Sequence, residues 1–227
     1  MTVSSYLDYI ASNAQLSTEE QTGIRTSVTT LCQRLMGQLG QEVSQQVIFG
    51  SYSRGTILPR KMDENSDIDY MIIFKDGSFR PQTYLDKLRR FVEGSYSQSE
   101  IKQSSPTIQL MLNHICFELV PATQSPLYGL YIPNKQNGTD SWMPTDPHGL
   151  NQKLIQKNQT HGNMIIPLVR LVKYWNAVNG KVFDSFDLEK KIIDFQFSNY
   201  GVWGYPDLET YFFQFMSTLQ VSWIDPQ

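Results

Sequence analysis

An α/β fold is predicted for this chain: a small mixed sheet with flanking helices, followed by a mostly helical second lobe. Three features of the sequence predict it. Runs rich in β-branched and aromatic residues fall between residues 47 and 120. A stripe of apolar residues at helical spacing precedes them, and a nearly all-apolar helical stretch follows between residues 163 and 176.

In chain order, Tyr6 to Ile10 can form a first helical turn or two. Ser17-Thr18-Glu19-Glu20 is a capping box, with Ser17 at the N-cap and Glu20 three residues on. Ile24, Val28, Leu31, Leu35 and Leu39 then recur at three and four, the stripe of an amphipathic helix that ends near Gly40. Such a stripe belongs to a core and is no cofactor box.

Val47-Ile48-Phe49 reads as a short buried strand and runs into Gly50-Ser51-Tyr52-Ser53-Arg54-Gly55-Thr56. Gly50 permits a sharp turn, and without a Cβ it lets a phosphate approach the backbone closely. Ser51 adds a hydroxyl, and successive amides in such a turn form an anion-binding concavity. The G-x-x-x-x-G-K-[ST] loop is absent, so this is not a Walker site. Arg60 and Lys61 either meet phosphate or lie in a solvated loop.

Ser66-Asp67-Ile68-Asp69 opens the next strand, which continues through Met71-Ile72-Ile73-Phe74. Residues two apart on a strand share a face, so Asp67 and Asp69 point the same way while Ile68 enters the core. Parallel carboxylates repel unless a cation lies between them. Mg²⁺, which takes few carboxylates and completes its shell with phosphate oxygens, suits the pair. A glycine turn alone is most often a loop, and a lone D-x-D is most often a solvated strand end. Strand-anchored and close together, the two point to a triphosphate beside a metal.

Tyr84 to Val92 is a short helix with Arg89 and Arg90 on its wet face. Ile108–Leu112 and Ile115–Val120 form two strand runs around Asn113-His114, a tight hairpin, and Pro121 is expected to end the second run. Glu118 interrupts that apolar run. Buried, it needs a cation or a hydrogen-bonding partner, and in the other register it faces solvent. Residues Thr123 to His148 are rich in Pro, Gly, Asn and Asp and read as loops, with Trp142 as a packing anchor. Asn163 to Asn176 is a buried helix in which Arg170 and Lys173 share one side. Such cations need partners, and a triphosphate would serve, as would a salt bridge. Tyr211 to Leu219 is an aromatic-rich core helix.

The 227 residues, 40% hydrophobic and 18% charged, suffice for one domain or two small lobes, and a net charge of -3 argues against a protein that coats duplex nucleic acid. Cys32 and Cys116 lie far apart in apolar settings, as buried thiols do. Neither a signal peptide nor a membrane span is recognisable, so a cytoplasmic protein is expected.

Gly50-Ser51 to Thr56 followed by Asp67-Ile68-Asp69 resembles the G-S-x-x-x-G-T and D-x-D signature of the polymerase-β-like nucleotidyltransferases. That superfamily includes archaeal CCA-adding enzymes, oligoadenylate synthases, cyclic GMP-AMP synthase and the bacterial oligonucleotide cyclases of anti-phage defence. The likeness is strongest to those cyclases and extends over nearly all the chain from Phe49 onward. Phe117-Glu118-Leu119-Val120-Pro121-Ala122 resembles the strand that carries their third carboxylate, with Glu in place of Asp. Trp142-Met143-Pro144-Thr145-Asp146-Pro147 resembles the segment before their second lobe. Leu168 to Asn176 resembles their R-l-x-K-x-W-n helix. Ser185-Phe186-Asp187-Leu188-Glu189 resembles their S-y-h-L-E, with Asp187 where His is usual.

The resemblance implies a polymerase-β-like fold with a catalytic lobe over residues 1–145, N-terminal helix included, and a helical lobe over 146–227. Relatives continue past a D-P segment such as Asp225-Pro226, so a shortened or C-terminally truncated member is expected. It implies catalysis and metal binding by Asp67, Asp69 and Glu118 with Mg²⁺, or Mn²⁺, and phosphate binding by Gly50, Ser51, Lys173 and Ser185. The implied activity joins ribonucleoside triphosphates with release of pyrophosphate, as in a cyclic oligonucleotide synthase that signals to a downstream effector. Nucleotide transfer to RNA or protein, or a non-catalytic nucleotide sensor, are the alternatives.

Overall fold

The computed structural model describes residues 2–104, 106–125, 127, 129–134, 141–198 and 206–219. The aromatic-rich helix, expected over Tyr211 to Leu219, instead spans Leu208–Met216, and the expectation for the Asp225-Pro226 end lies outside the described residues.

Helix α1 spans Val3–Asn13, about three turns where one or two are expected. Its Leu7, Ile10 and Ala11 are buried. Helix α2, Thr18–Leu39, opens on the Ser17/Glu20 capping box and closes at Gly40. Its Ile24, Leu31 and Leu35 pack on the sheet.

The strands are β1 (Val43–Ile48), β2 (Asp67–Phe74), β3 (Glu100–Ser104), β4 (Thr107–Met111), β5 (Cys116–Ser125), β6 (Gly129–Pro133) and β7 (Trp142–Thr145). The sheet order is β1-β2-β5-β4-β3, with β6 paired to β5 and β7 to β6. Only β2 and β5 run parallel among these pairs, so the sheet is mixed. A four-residue helix α3 (Gly50–Ser53) follows β1, and α4 (Pro81–Ser95) lies between β2 and β3.

The two faces of β2 divide the labour. Ile68, Tyr70, Ile72 and Phe74 enter the core beneath α2 and α4. Met71 and Ile73 lie on the opposite face in a smaller core with Ala122. Asp67 and Asp69 share the parity of Met71 and Ile73, so the acids head a face whose far end is apolar.

The hairpin forms as expected: the Leu112 N–H donates to Ile115 O at 2.9 Å across Asn113-His114. Pro121 does not end its strand. It sits between Leu119, the last β5 residue paired with β4, and Thr123, the first paired with β6. No neighbour on that side needs its missing N–H there. The loop expectation for Thr123 to His148 is likewise corrected. β5 runs on to Ser125, and Gly129–Pro133 and Trp142–Thr145 form two further short strands, the second at the sheet edge. Their prolines lie at strand ends and at the sheet margin, where Pro is tolerated.

Helices α5 (Pro147–Thr160), α6 (Ile165–Val178), α7 (Ser185–Asp194) and α8 (Leu208–Met216) form a second cluster. Buried side chains of α6, α7 and α8, with Leu154 of α5, make its core. Leu7, Ile10 and Ala11 of α1 join this cluster and not the sheet core, although α1 precedes the sheet in sequence. Trp142 is the packing anchor expected, on the sheet side: its ring lies 5.6 Å from Tyr84, and its indole N–H donates to Phe79 O at 3.3 Å. Among the described residues no helix is long and apolar enough to cross a membrane.

Candidate active site

One cleft of about 900 Å³ lies between the sheet and the helical cluster. All seven residues singled out in the sequence line it: Gly50, Ser51, Asp67, Asp69, Glu118, Lys173 and Ser185.

Gly50 stands at φ +67°, a left-handed conformation, at the start of α3. A Cβ there would lie 1.7 Å from Asp69 Oδ2. Glycine is therefore required twice, by the turn and by the carboxylate against it. The Ser51 backbone N–H supports that carboxylate.

Asp69 pairs in register with Glu118 on β5, and Glu118 with Gln109 on β4. Gln109 Nε2 donates to Glu118 Oε1 at 2.8 Å. Glu118 thus has the partner a half-buried carboxylate needs and stands beside Asp69 on the same face. Among the described residues no three His, Cys, Asp or Glu side chains are already gathered into a metal-holding group.

The aspartates carry the electrostatic signature of the site. Burial, then the charges of Asp69 and Glu118, push Asp67 from 3.8 up to about 7. Burial, then Glu118, push Asp69 up to about 6, while Arg54 and Lys173 pull it down. Two acids with strongly raised pKa in a cleft are an expected mark of function. Their oxygens are a hard donor set suited to a divalent cation such as Mg²⁺. On these grounds Asp67 and Asp69 fit the ion, with Glu118 alongside.

Lys173 is 8% exposed, and its Nζ donates to Thr56 O at 3.1 Å. Burial holds its pKa below the usual lysine range, against the pull of Glu189 and Asp67. Arg170, expected to act beside it, does not share its role. Its Nη1 reaches Gly55 O at 3.4 Å, and it lines a separate pocket with Tyr52 and Ile57 behind the glycine turn. The two cations share one side of the helix, as their spacing implies, and donate to neighbouring carbonyls of the 54–56 loop, but only Lys173 also lines the cleft. Arg60 donates to Glu64 O within its own loop.

Ser185 begins α7, whose first amides are capped by Asp184: its Oδ1 accepts from the Phe186 and Asp187 N–H groups at 2.9 and 3.0 Å. Phe186 beside it is 53% exposed and lines the cleft. Besides Phe186, two ion pairs were not assigned from sequence. Arg54 and Glu189 form a buried two-pronged ion pair, 2.5 Å at the shorter contact. Lys181 meets Asp63 at 2.7 Å at the cleft wall. Glu189 and Phe186 belong to the S-F-D-L-E segment, so the motif was the available signal. Arg54 lies within the G-S-x-x-x-G-T segment.

With this geometry in view, comparison with known families is decisive. The family model described as Second Messenger Oligonucleotide or Dinucleotide Synthetase domain matches residues 1–158. The chain belongs to this family.

Among the relatives of this synthetase-family chain is a probable cyclic nucleotide synthase of Bacillus cereus strain VD146. It is 27% identical over 207 residues, covering 75% of this chain and 61% of that protein. The chain therefore spans less than two thirds of that relative's length. Two solved structures share the fold. The CdnE cyclic dinucleotide synthase of Elizabethkingia meningoseptica, determined with GTP and Apcpp, superposes with a TM-score of 0.71 at 16% identity, covering 94% of this chain and 83% of that one. The CD-NTase CdnG of Bradyrhizobium diazoefficiens, in complex with GTP, gives 0.73 at 13% identity, covering 93% and 74%. The family member described here thus has the polymerase-β-like nucleotidyltransferase fold expected from its motifs.

Proposed function

We propose that this chain is a Mg²⁺-dependent nucleotidyltransferase that joins ribonucleoside triphosphates, releases pyrophosphate and makes a cyclic oligonucleotide messenger. The observation that carries the reading is the meeting of Asp67 and Asp69, both with raised pKa, with Gly50, Ser51, Lys173 and Ser185 in one cleft. Membership of the synthetase family supports the product class.

Asp67, Asp69 and Glu118 would hold the ions, with Mn²⁺ an acceptable substitute. The ions, when bound, supply charge neutralisation at the transferring phosphoryl group. The residues themselves do the positioning. Gly50 leaves room for the phosphates at the turn, the Ser51 hydroxyl meets them while its N–H holds Asp69, and Lys173 and Ser185 approach from the helical lobe. The exposed Phe186 ring offers a face for a base to stack on. A ribose hydroxyl then attacks the α-phosphorus in line as the bond to pyrophosphate breaks. Catalysis of this kind is mostly alignment and electrostatics. Residues 1–145 supply the acids and the turn, and 146–227 supply the lid. We place the protein in the cytoplasm, acting in anti-phage defence through an effector that binds its product.

Incubation with all four labelled ribonucleotides and Mg²⁺ tests this. A phosphatase-resistant cyclic species is expected by mass spectrometry. Label found only on added RNA or protein would replace the reading with transfer to a macromolecule, and no product at all would leave a nucleotide sensor.

Lys173→Ala is expected to weaken triphosphate binding by roughly ten- to a hundredfold while barely changing binding of the monophosphate, since a charge-assisted contact contributes about 1.5–3 kcal/mol. Calorimetric titration with both ligands checks this. Equal losses would assign Lys173 to holding Thr56 alone.

A further inference from the structure

The Arg54–Glu189 pair is buried in the seam between sheet and helices, and a buried pair is by itself weak evidence of added stability. Glu189, 1% exposed on α7, accepts from Arg54 Nε at 2.5 Å and Nη2 at 3.3 Å. It also accepts from Thr56 Oγ1 at 3.0 Å. The carbonyl of that same Thr56 accepts from Lys173 on α6. Thr56, itself fully buried, thus links the two helices through one residue of the glycine-turn segment. Arg54 and Thr56 follow α3 directly, and the Thr56 N–H donates to Ser51 O at 2.9 Å, so the link reaches the turn itself.

Glu189 lies four residues after Ser185, and residues at that spacing share a helix face. Gripping Glu189 therefore fixes Ser185 one turn earlier. Lys173 carries three ammonium protons and spends one on Thr56 among the described residues, leaving two for a ligand in the cleft. Both lid residues assigned to phosphate thus hang on one buried knot.

We propose that Glu189, gripped by Arg54 and Thr56, is a positioning residue that fixes Lys173 and Ser185 over the Gly50 turn and so sets the preference of the cleft for triphosphate. This rests on the nucleotidyltransferase reading above. Glu189 itself does not touch substrate.

The test is calorimetric titration of a non-hydrolysable ATP analogue and of AMP into wild type, Glu189→Gln and the double variant Arg54→Met/Glu189→Gln, each with a thermal melt. Glu189→Gln leaves Arg54 buried without its carboxylate, so its melting temperature is expected to fall. The double variant removes that stranded charge and is expected to recover it, since neutral replacements of a buried pair are commonly tolerated. In both variants the ATP analogue should bind about tenfold more weakly, with AMP unchanged, as expected when one charge-assisted phosphate contact loses its geometry. A folded double variant with wild-type preference for triphosphate would overturn the inference. So would a double variant that fails to fold, because the pair would then be holding the fold and not the lysine. Wild type without preference for triphosphate would instead sink the nucleotidyltransferase reading.

Discussion

The double variant Asp67→Asn/Asp69→Asn is expected to lose nucleotidyl transfer by roughly a thousandfold or more, because several kcal/mol of charge stabilisation at the transferring phosphoryl group go with the carboxylates. It is also expected to melt at a higher temperature than wild type when metal is absent. The native acids hold protons up to about 7 and about 6, whereas an ordinary aspartate releases its proton near 3.8. Between those values the folded state binds more protons than the unfolded chain, so stability falls as pH rises through that window. At pH 8 both buried carboxylates are charged and the penalty is complete. Only near pH 4 is most of it relieved. The variant should therefore gain several degrees at pH 8, at about 2–4 °C per kcal/mol for a chain of this size, and little near pH 4. Mg²⁺ should stabilise wild type and leave the variant unmoved. Undiminished transfer by the variant would end the catalytic reading of the pair.

Glu118→Gln carries the second large effect, because it tests the departure of this chain from the Asp of its relatives. The amide keeps an acceptor for Gln109, so the β4–β5 row should survive and the fold with it. Nucleotide binding should be spared while turnover drops by roughly a hundredfold or more, the scale for losing the group that activates a nucleophile. Glu118→Asp should retain substantial activity. Mn²⁺ should partly rescue imperfect geometry. Steady-state turnover of the three proteins under both metals decides the matter. A Glu118→Gln protein as fast as wild type would make Glu118 a strand residue held by Gln109 and nothing more.

What was legible in the sequence follows a physical division. The capping box at Ser17, the stripe of α2 and the D-x-D face of β2 are local patterns, and local patterns survive folding. Gly50 was readable as a turn, but the closeness of Asp69 that forbids any side chain there depends on tertiary placement. Strands β6 and β7 were misread as loops because their Pro and Gly content is a loop signal that only pairing, of β6 with β5 and of β7 with β6, overrides. Helix α5 escaped notice because it buries only Leu154 and leaves little periodicity to see. The Arg54–Glu189 knot joins positions 135 residues apart, which no single-sequence pattern reports. Spacing correctly put Arg170 beside Lys173, but that Arg170 spends its reach on Gly55 O in a neighbouring pocket depends on tertiary placement.

The central claim is that the carboxylate face of β2 binds divalent cations together with a triphosphate. Titration of Mn²⁺ into the protein saturated with a non-hydrolysable ATP analogue, followed by calorimetry, tests it most directly. Wild type should bind Mn²⁺ tightly only when the nucleotide is present, and Asp67→Asn/Asp69→Asn should show no such binding. Equal Mn²⁺ binding by both proteins would contradict the claim.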